Sequence, residues 1–301
     1  MHIPDGFLST PVWLGLDIAA GVAVGVVCSR AERALEQGAA PRLGVLGAFI
    51  FAAQMINFPV AAGTSSHLIG GALLTSALGP TAASLVLTAI LAIQALVFQD
   101  GGLLALGANI TNMALVGVFA ASVPLRYLRG NLALFLAGAA SVFAASSLAI
   151  VELRVSGITM SPAILHTSLV VFLVSAFMEG LITAAVMGAI LRLNAAWVGA
   201  PRPQGERRVL GTLAVAAVVL GSAGALLASS LPDGLEKLAE NLGIAERAHA
   251  LLGTPFADYE WRAATNPVAG KILAGLAGLA IVYLACRLGA QLLARGGSRP
   301  K

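Results

Sequence analysis

The chain has 301 residues, of which 58% are hydrophobic and 11% charged, with a mean hydropathy of +0.90 and a formal net charge of +4. Soluble domains carry roughly 25% charged residues, so an ordinary soluble protein is excluded and the small positive excess reads as topology rather than nucleic-acid binding. The apolar runs are continuous rather than alternating, which selects membrane helices, each closing its own backbone hydrogen bonds in lipid.

The chain opens Met1-His2-Ile3-Pro4-Asp5-Gly6-Phe7. The α-amine of Met1, the amide of His2 and its imidazole can close a five-membered and a six-membered chelate ring about one metal ion. One in-plane position is left for a fourth ligand. Planar nitrogen ligation suits Ni(II) and Cu(II), and low-spin Co(II) accepts it. The competing reading is that His2 is one more residue of a frayed terminus. No basic segment or small-residue cleavage site precedes Pro11, so an uncleaved start is expected. The bulk of His2 disfavours removal of Met1.

Nine apolar segments follow, at about 11–29, 42–60, 66–79, 81–98, 102–123, 131–153, 163–191, 208–231 and 268–292. The third is short and Gly-rich and ends at the turn Gly79-Pro80, so it is a candidate for a broken helix. In the first, Gly15, Ala19 and Ala23 recur every fourth residue, a spacing that lets a partner helix approach closely. Cys28 and Cys286 lie near the ends of spans and read as buried free thiols.

Basic residues orient the spans. With the N-terminus outside, the inner segments hold Arg30, Arg33, Arg42, Arg126, Arg129, Arg192, Arg202, Arg207, Arg208, Arg287, Arg295, Arg299 and Lys301, or 13 of 18. This predicts an exterior N-terminus, nine crossings and a cytoplasmic C-terminus. The polar, Pro-rich stretch 199–208 reads as a cytoplasmic linker between a domain at 1–198 and a two-helix unit at 209–301. That unit carries an exterior loop at 232–267, in which Leu235, Leu238, Leu242, Ala245, Ala248 and Leu252 follow helical spacing.

Ionisable residues at membrane depth are functional candidates. His67, in Gly63-Thr64-Ser65-Ser66-His67, falls on the same side as Met1 and supplies a fourth nitrogen, or else is satisfied locally by Thr64 or Ser66. Asn109 and Asn112 share a helix face and are candidates to brace a metal loop or to join helices. His166 is an outer-sphere candidate. Glu179 relays charge or bonds a neighbouring helix. No phosphate loop, nucleophile elbow or His-Glu-x-x-His zinc helix is present, so the chain does not read as an enzyme.

These residues together resemble the CbiM/NikM family, the substrate-binding (S) components of cobalt/nickel energy-coupling factor (ECF) transporters. The resemblance rests on Met1 to Leu8, Gln54 to Pro59, Gly63 to Leu68, Asp100 through Asn109, and Glu179 to Thr183. Pro232-Asp233-Gly234-Leu235-Glu236 and Pro255 to Tyr259 resemble the small N component of the same systems, here fused. The resemblance implies an all-α fold: a seven-helix S-component-like bundle plus a two-helix unit in the cell membrane. It implies metal ligation by Met1, His2 and His67, with Ser66, Asn109, Asn112 and His166 as candidates around them. It also implies a coupling membrane subunit, which Gly15, Ala19 and Ala23 are candidates to dock, and two ATPases, with Ni(II) or Co(II) as the transported substrate. Two rival readings stand beside it: a membrane metalloenzyme using His67, His166 and Glu179, and an ion-coupled secondary transporter.

Overall fold

The computed structural model describes residues 1–34, 39–61, 63–197, 205–222, 224 and 229–296. The expected linker at 199–208 lies outside these as far as residue 204. Within them the chain is helical: α1 (Thr10–Ala34), α2 (Ala40–Gln54), α3 (Gly71–Leu78), α4 (Pro80–Ile93), α5 (Leu106–Asn109), α6 (Val118–Tyr127), α7 (Gly130–Val155), α8 (Pro162–Leu193), α9 (Glu206–Ser222), α10 (Gly234–Asn241) and α11 (Pro267–Gly296). Six helical stretches among the described residues are long and apolar enough to cross a membrane. Outward faces carry Ile18, Val22, Phe119, Leu132, Leu173 and Leu292, the surface a lipid-facing bundle presents.

The structure corrects the expected segments where the backbone must bend. The 42–60 run is helical only to Gln54, because Pro59 removes an amide donor and pushes Phe58 out of helical geometry. Residues Phe58–Ala61 (β1) and Thr64–Ser66 (β2) instead form a small antiparallel hairpin. Gly70 turns at φ 77° before α3, so the 66–79 segment keeps a helix only eight residues long. At 1.5 Å per residue α3 rises about 12 Å and α2 about 22 Å, against a hydrocarbon core of about 30 Å. The hairpin and residues 67–70 therefore carry the chain from the end of the short α2 to the start of the short α3.

Two helices carry π-helical turns: α4 continues as Gln94–Phe98, and α5 passes into Ile110–Gly117 before α6. Both flank the loop 99–105, and π-turns collect at functional sites. The helical spacing read from Leu235 to Leu252 holds only for α10. Gly243, at φ 68°, ends it, and a single 3-10 turn follows at Ala245–Arg247.

The C-terminal unit is packed into the bundle, α11 and α9 both lying on α2. At the opposite end from the hairpin, Arg42 Nε bonds Glu206 Oε1 at 2.8 Å while its guanidinium covers the buried ring of Trp197 at 4.6 Å. By contrast, only 6% of the apolar window of α1 is buried, and Gly15 and Ala19 are exposed on its outer face while Ala23 is half-buried.

Candidate metal centre

The first eight residues form a plug rather than a free end. Ile3, Phe7 and Leu8 are buried with Ile150, Leu153 and Leu235. Asn109 grips the Ile3 backbone from both sides, its Oδ1 accepting from Ile3 N at 2.8 Å and its Nδ2 donating to Ile3 O at 3.0 Å. The Asp5 carboxylate accepts from Leu103 N, Leu104 N and Ala105 N at 3.0, 2.8 and 3.2 Å, tying the terminus to the turn that leads into α5. A side chain at Gly102 would collide with Asp5, which is why the Gly101-Gly102 pair stands opposite the terminus.

This docking brings Met1 and His2 to His67. The Met1 amine contacts His67 Nε2, and the His2 and His67 rings lie 5.4 Å apart with planes 5° apart. His67 Nδ1 donates to Leu68 O at 3.0 Å, which leaves Nε2 with its lone pair facing the amine. The loop bearing His67 is held from below. Glu179 of α8 accepts from Ile69 N and Gly70 N, both at 2.8 Å, and Gln54 donates to Ile69 O at 2.7 Å. Gln94 in turn donates to Gln54 at 3.0 Å.

Two carboxylates bracket the nitrogens. Asp233 Oδ2 lies 2.5 Å from the Met1 amine and 3.8 Å from His67 Nε2. Its other oxygen accepts from Leu235 N and Glu236 N, and Glu236 returns a bond to Asp233 N, a capping box on α10. Asp100 Oδ1 lies 2.9 Å from His2 Nδ1. Asp100 Oδ2 accepts from the Tyr259 hydroxyl at 2.5 Å. Burial pushes the His67 imidazole down to about 4, helped by the neighbouring amine and His2, so it is neutral at pH 7. Burial works upward on both aspartates, but His2 and the amine hold Asp100, and the amine and His67 hold Asp233, below the usual carboxylate range. Burial and then Asp100 keep the Tyr259 phenol protonated, well above its ordinary value.

These groups face a cavity of about 700 Å³ whose walls include His2, His67, Asp100, Asp233, Glu236 and Tyr259. Among the described residues no three His, Cys, Asp or Glu side chains converge as a metal site by themselves; the convergent set needs the α-amine as a member.

The other expected residues divide. Asn109 is at the terminus, as described. Asn112 pairs with Glu152 of α7 at 2.8 Å instead, which makes it a bond between helices. Ser66 ends β2 opposite Phe58, while Ser65 bonds Leu231 O at 2.7 Å. His166 is exposed on the first turns of α8 and is not among the residues that line the cavity. The trio His67, His166 and Glu179 is therefore not assembled. Three residues went unassigned in the sequence: Asp100, Asp233 and Tyr259. Asp233-x-x-Glu236 is a legible capping signature, but nothing local says that its second oxygen meets residue 1.

Tyr259 sits in a strained turn, Asp258 and Tyr259 both at φ 57°. Such positions cost on the order of 1–3 kcal/mol for residues other than glycine. Stacking on Phe98 at 4.7 Å helps to offset the strain.

A multi-pass helical bundle that closes over a small cluster of nitrogen donors is the architecture of a membrane binding component. The family described as "Cobalt uptake substrate-specific transmembrane region" matches residues 2–197, and the PDGLE domain matches residues 207–295. The chain is 30% identical to the "Fused nickel transport protein NikMN" of Rhodobacter capsulatus over 98% of each chain. It is 32% identical to "Cobalt transport protein CbiM 2" of Pelobacter propionicus over 68% of this chain and 97% of that one. A crystal structure described as a truncated transition metal transporter is 31% identical, covers 64% of this chain and 99% of its own, and superposes with a TM-score of 0.57. The chain belongs to this CbiM family, with a PDGLE domain fused to it. It is a multi-pass membrane protein of transport, not an enzyme.

Proposed function

We propose that the chain is the substrate-binding component of an ATP-driven energy-coupling factor importer that captures Ni(II) or Co(II) on the exterior face of the cell membrane. The observation that carries the reading is the meeting of the Met1 amine, His2 and His67 in one buried pocket. In the loaded site the Met1 amine, the His2 amide and Nδ1, and His67 Nε2 surround the ion in a plane; near-parallel imidazoles are compatible with that plane. Relatives named for nickel and for cobalt transport support either ion, and both accept four nitrogens.

The division proposed is a metal-binding domain at 1–198, a cytoplasmic linker at 199–208 and an N-component-like unit at 209–301. The N-terminus is exterior and the C-terminus cytoplasmic, on the asymmetry of basic residues. A coupling membrane subunit and two ATPases supply the energy, and the unpacked face of α1 bearing Gly15, Ala19 and Ala23 is the proposed contact for the first of these.

The test is nickel binding to the purified chain, with and without one residue added ahead of Met1. High-affinity binding is expected only with the free Met1 amine. Intact binding by the extended protein would remove the amine from the ligand set.

A further inference from the structure

A residue far along the chain reaches the His2 imidazole through a shared carboxylate. Tyr259 belongs to the fused C-terminal unit, yet its hydroxyl donates to Asp100 Oδ2 at 2.5 Å, and the other oxygen of that carboxylate holds His2 Nδ1 at 2.9 Å. A carboxylate bonded through one oxygen rotates about its terminal torsion; bonded through both, its orientation is fixed. The phenol is fixed in its turn by stacking on Phe98 at 4.7 Å with ring planes 13° apart, and by Phe51 at 6.0 Å. Its backbone is held at φ 57°, which a tyrosine adopts only where the surroundings impose it. Ordinary packing of an aromatic ring asks for neither the unfavourable backbone nor a phenol aimed at a carboxylate.

We propose that Tyr259 is a positioning residue for the metal centre: through Asp100 it presets the His2 imidazole, with Nδ1 aimed at the place the ion takes, so that the C-terminal unit sets the geometry of a site whose ligands all lie in the N-terminal domain. When the ion takes Nδ1, the Nδ1 proton leaves to water and the hydrogen bond to Asp100 Oδ1 is given up; Asp100, still held by the Tyr259 hydroxyl, stays beside the ion as a fixed anion. The inference rests on the ligand reading given above.

The experiment uses the full chain in detergent and follows nickel by calorimetry and by its visible d–d bands. Tyr259→Phe removes one hydroxyl and keeps the stacked ring. A loss of affinity of about 10-fold is expected, the lower end of what outer-shell partners contribute, together with shifted or broadened d–d bands and an unchanged melting temperature. Asp100→Asn is expected to weaken binding as well, and the double variant to be little worse than Asp100→Asn alone, because the proposed route from the phenol to His2 runs through that carboxylate. Wild-type affinity and bands in Tyr259→Phe, or losses that add in full in the double variant, would overturn the proposal. So would a loss of affinity matched by a loss of stability with the bands unmoved, which is the signature of packing alone. Binding that survives His67→Ala and an N-terminal extension would instead sink the ligand reading, so the two failures are separable.

Discussion

At the scale of single residues, the site is made of side chains whose two ends do different work. Asp233 caps α10 with one oxygen and holds the Met1 amine with the other; His67 donates from Nδ1 and keeps Nε2 open. His67→Ala is expected to abolish high-affinity nickel binding in calorimetry without unfolding the chain. Asp5→Ala leaves three backbone N–H groups without their acceptor, each costing about 1–3 kcal/mol if it stays buried. The terminus is then expected to undock, seen as faster hydrogen exchange at residues 103–105 and weaker nickel binding. Part of the acid limb of stability comes from His67. Its value falls from 6.5 unfolded to about 4 folded, so between those pH values the unfolded chain binds a proton that the folded site refuses. Stability of the metal-free protein should therefore decline as pH drops from 6.5 to 4, by up to roughly 3 kcal/mol at 1.36 kcal/mol per unit. Melting curves of His67→Gln should lose that slope.

Among the elements, long helices were the most legible in the sequence and short irregular ones the least. Continuous apolar runs announce α7 and α8 without ambiguity, since twenty residues of lipid-facing surface leave few alternatives. The hairpin Phe58–Ala61 with Thr64–Ser66 was hidden, because Phe-Pro-Val-Ala is as apolar as a helix and its four-residue length gives no period to read. His67 was identifiable because histidine is scarce in such a chain and stood near a turn. Its support by Glu179 was not, since 110 positions separate Glu179 from Ile69 and only the fold joins them. That support defines a test of the α8–α3 joint. Glu179→Ala strands the Ile69 and Gly70 amides, and a melting temperature several degrees lower is expected, with nickel affinity reduced; Glu179→Gln, which keeps one acceptor oxygen, should recover part of both.

For the whole molecule, the two sequence-matched parts are mechanically one, since α11 and α9 pack on α2 and the 232–267 loop supplies two of the groups around the nitrogens. Residues 1–197 expressed alone are expected to bind nickel with faster exchange than the full chain, measured by stopped-flow competition with a chelator; equal rates would deny the C-terminal unit a part in holding the ion.

The contact between Met1 and Asp233 also imposes an order in time. In chain order His67 is made before Asp233 and Tyr259, which follow it by 166 and 192 residues. At 5–20 residues per second that interval is on the order of ten to thirty seconds. During it the amine has no carboxylate partner from the chain's own C-terminal half. Chemistry that needs the Met1 amine unpaired is expected to be easiest in this window, because afterwards Asp233 stands 2.5 Å from it.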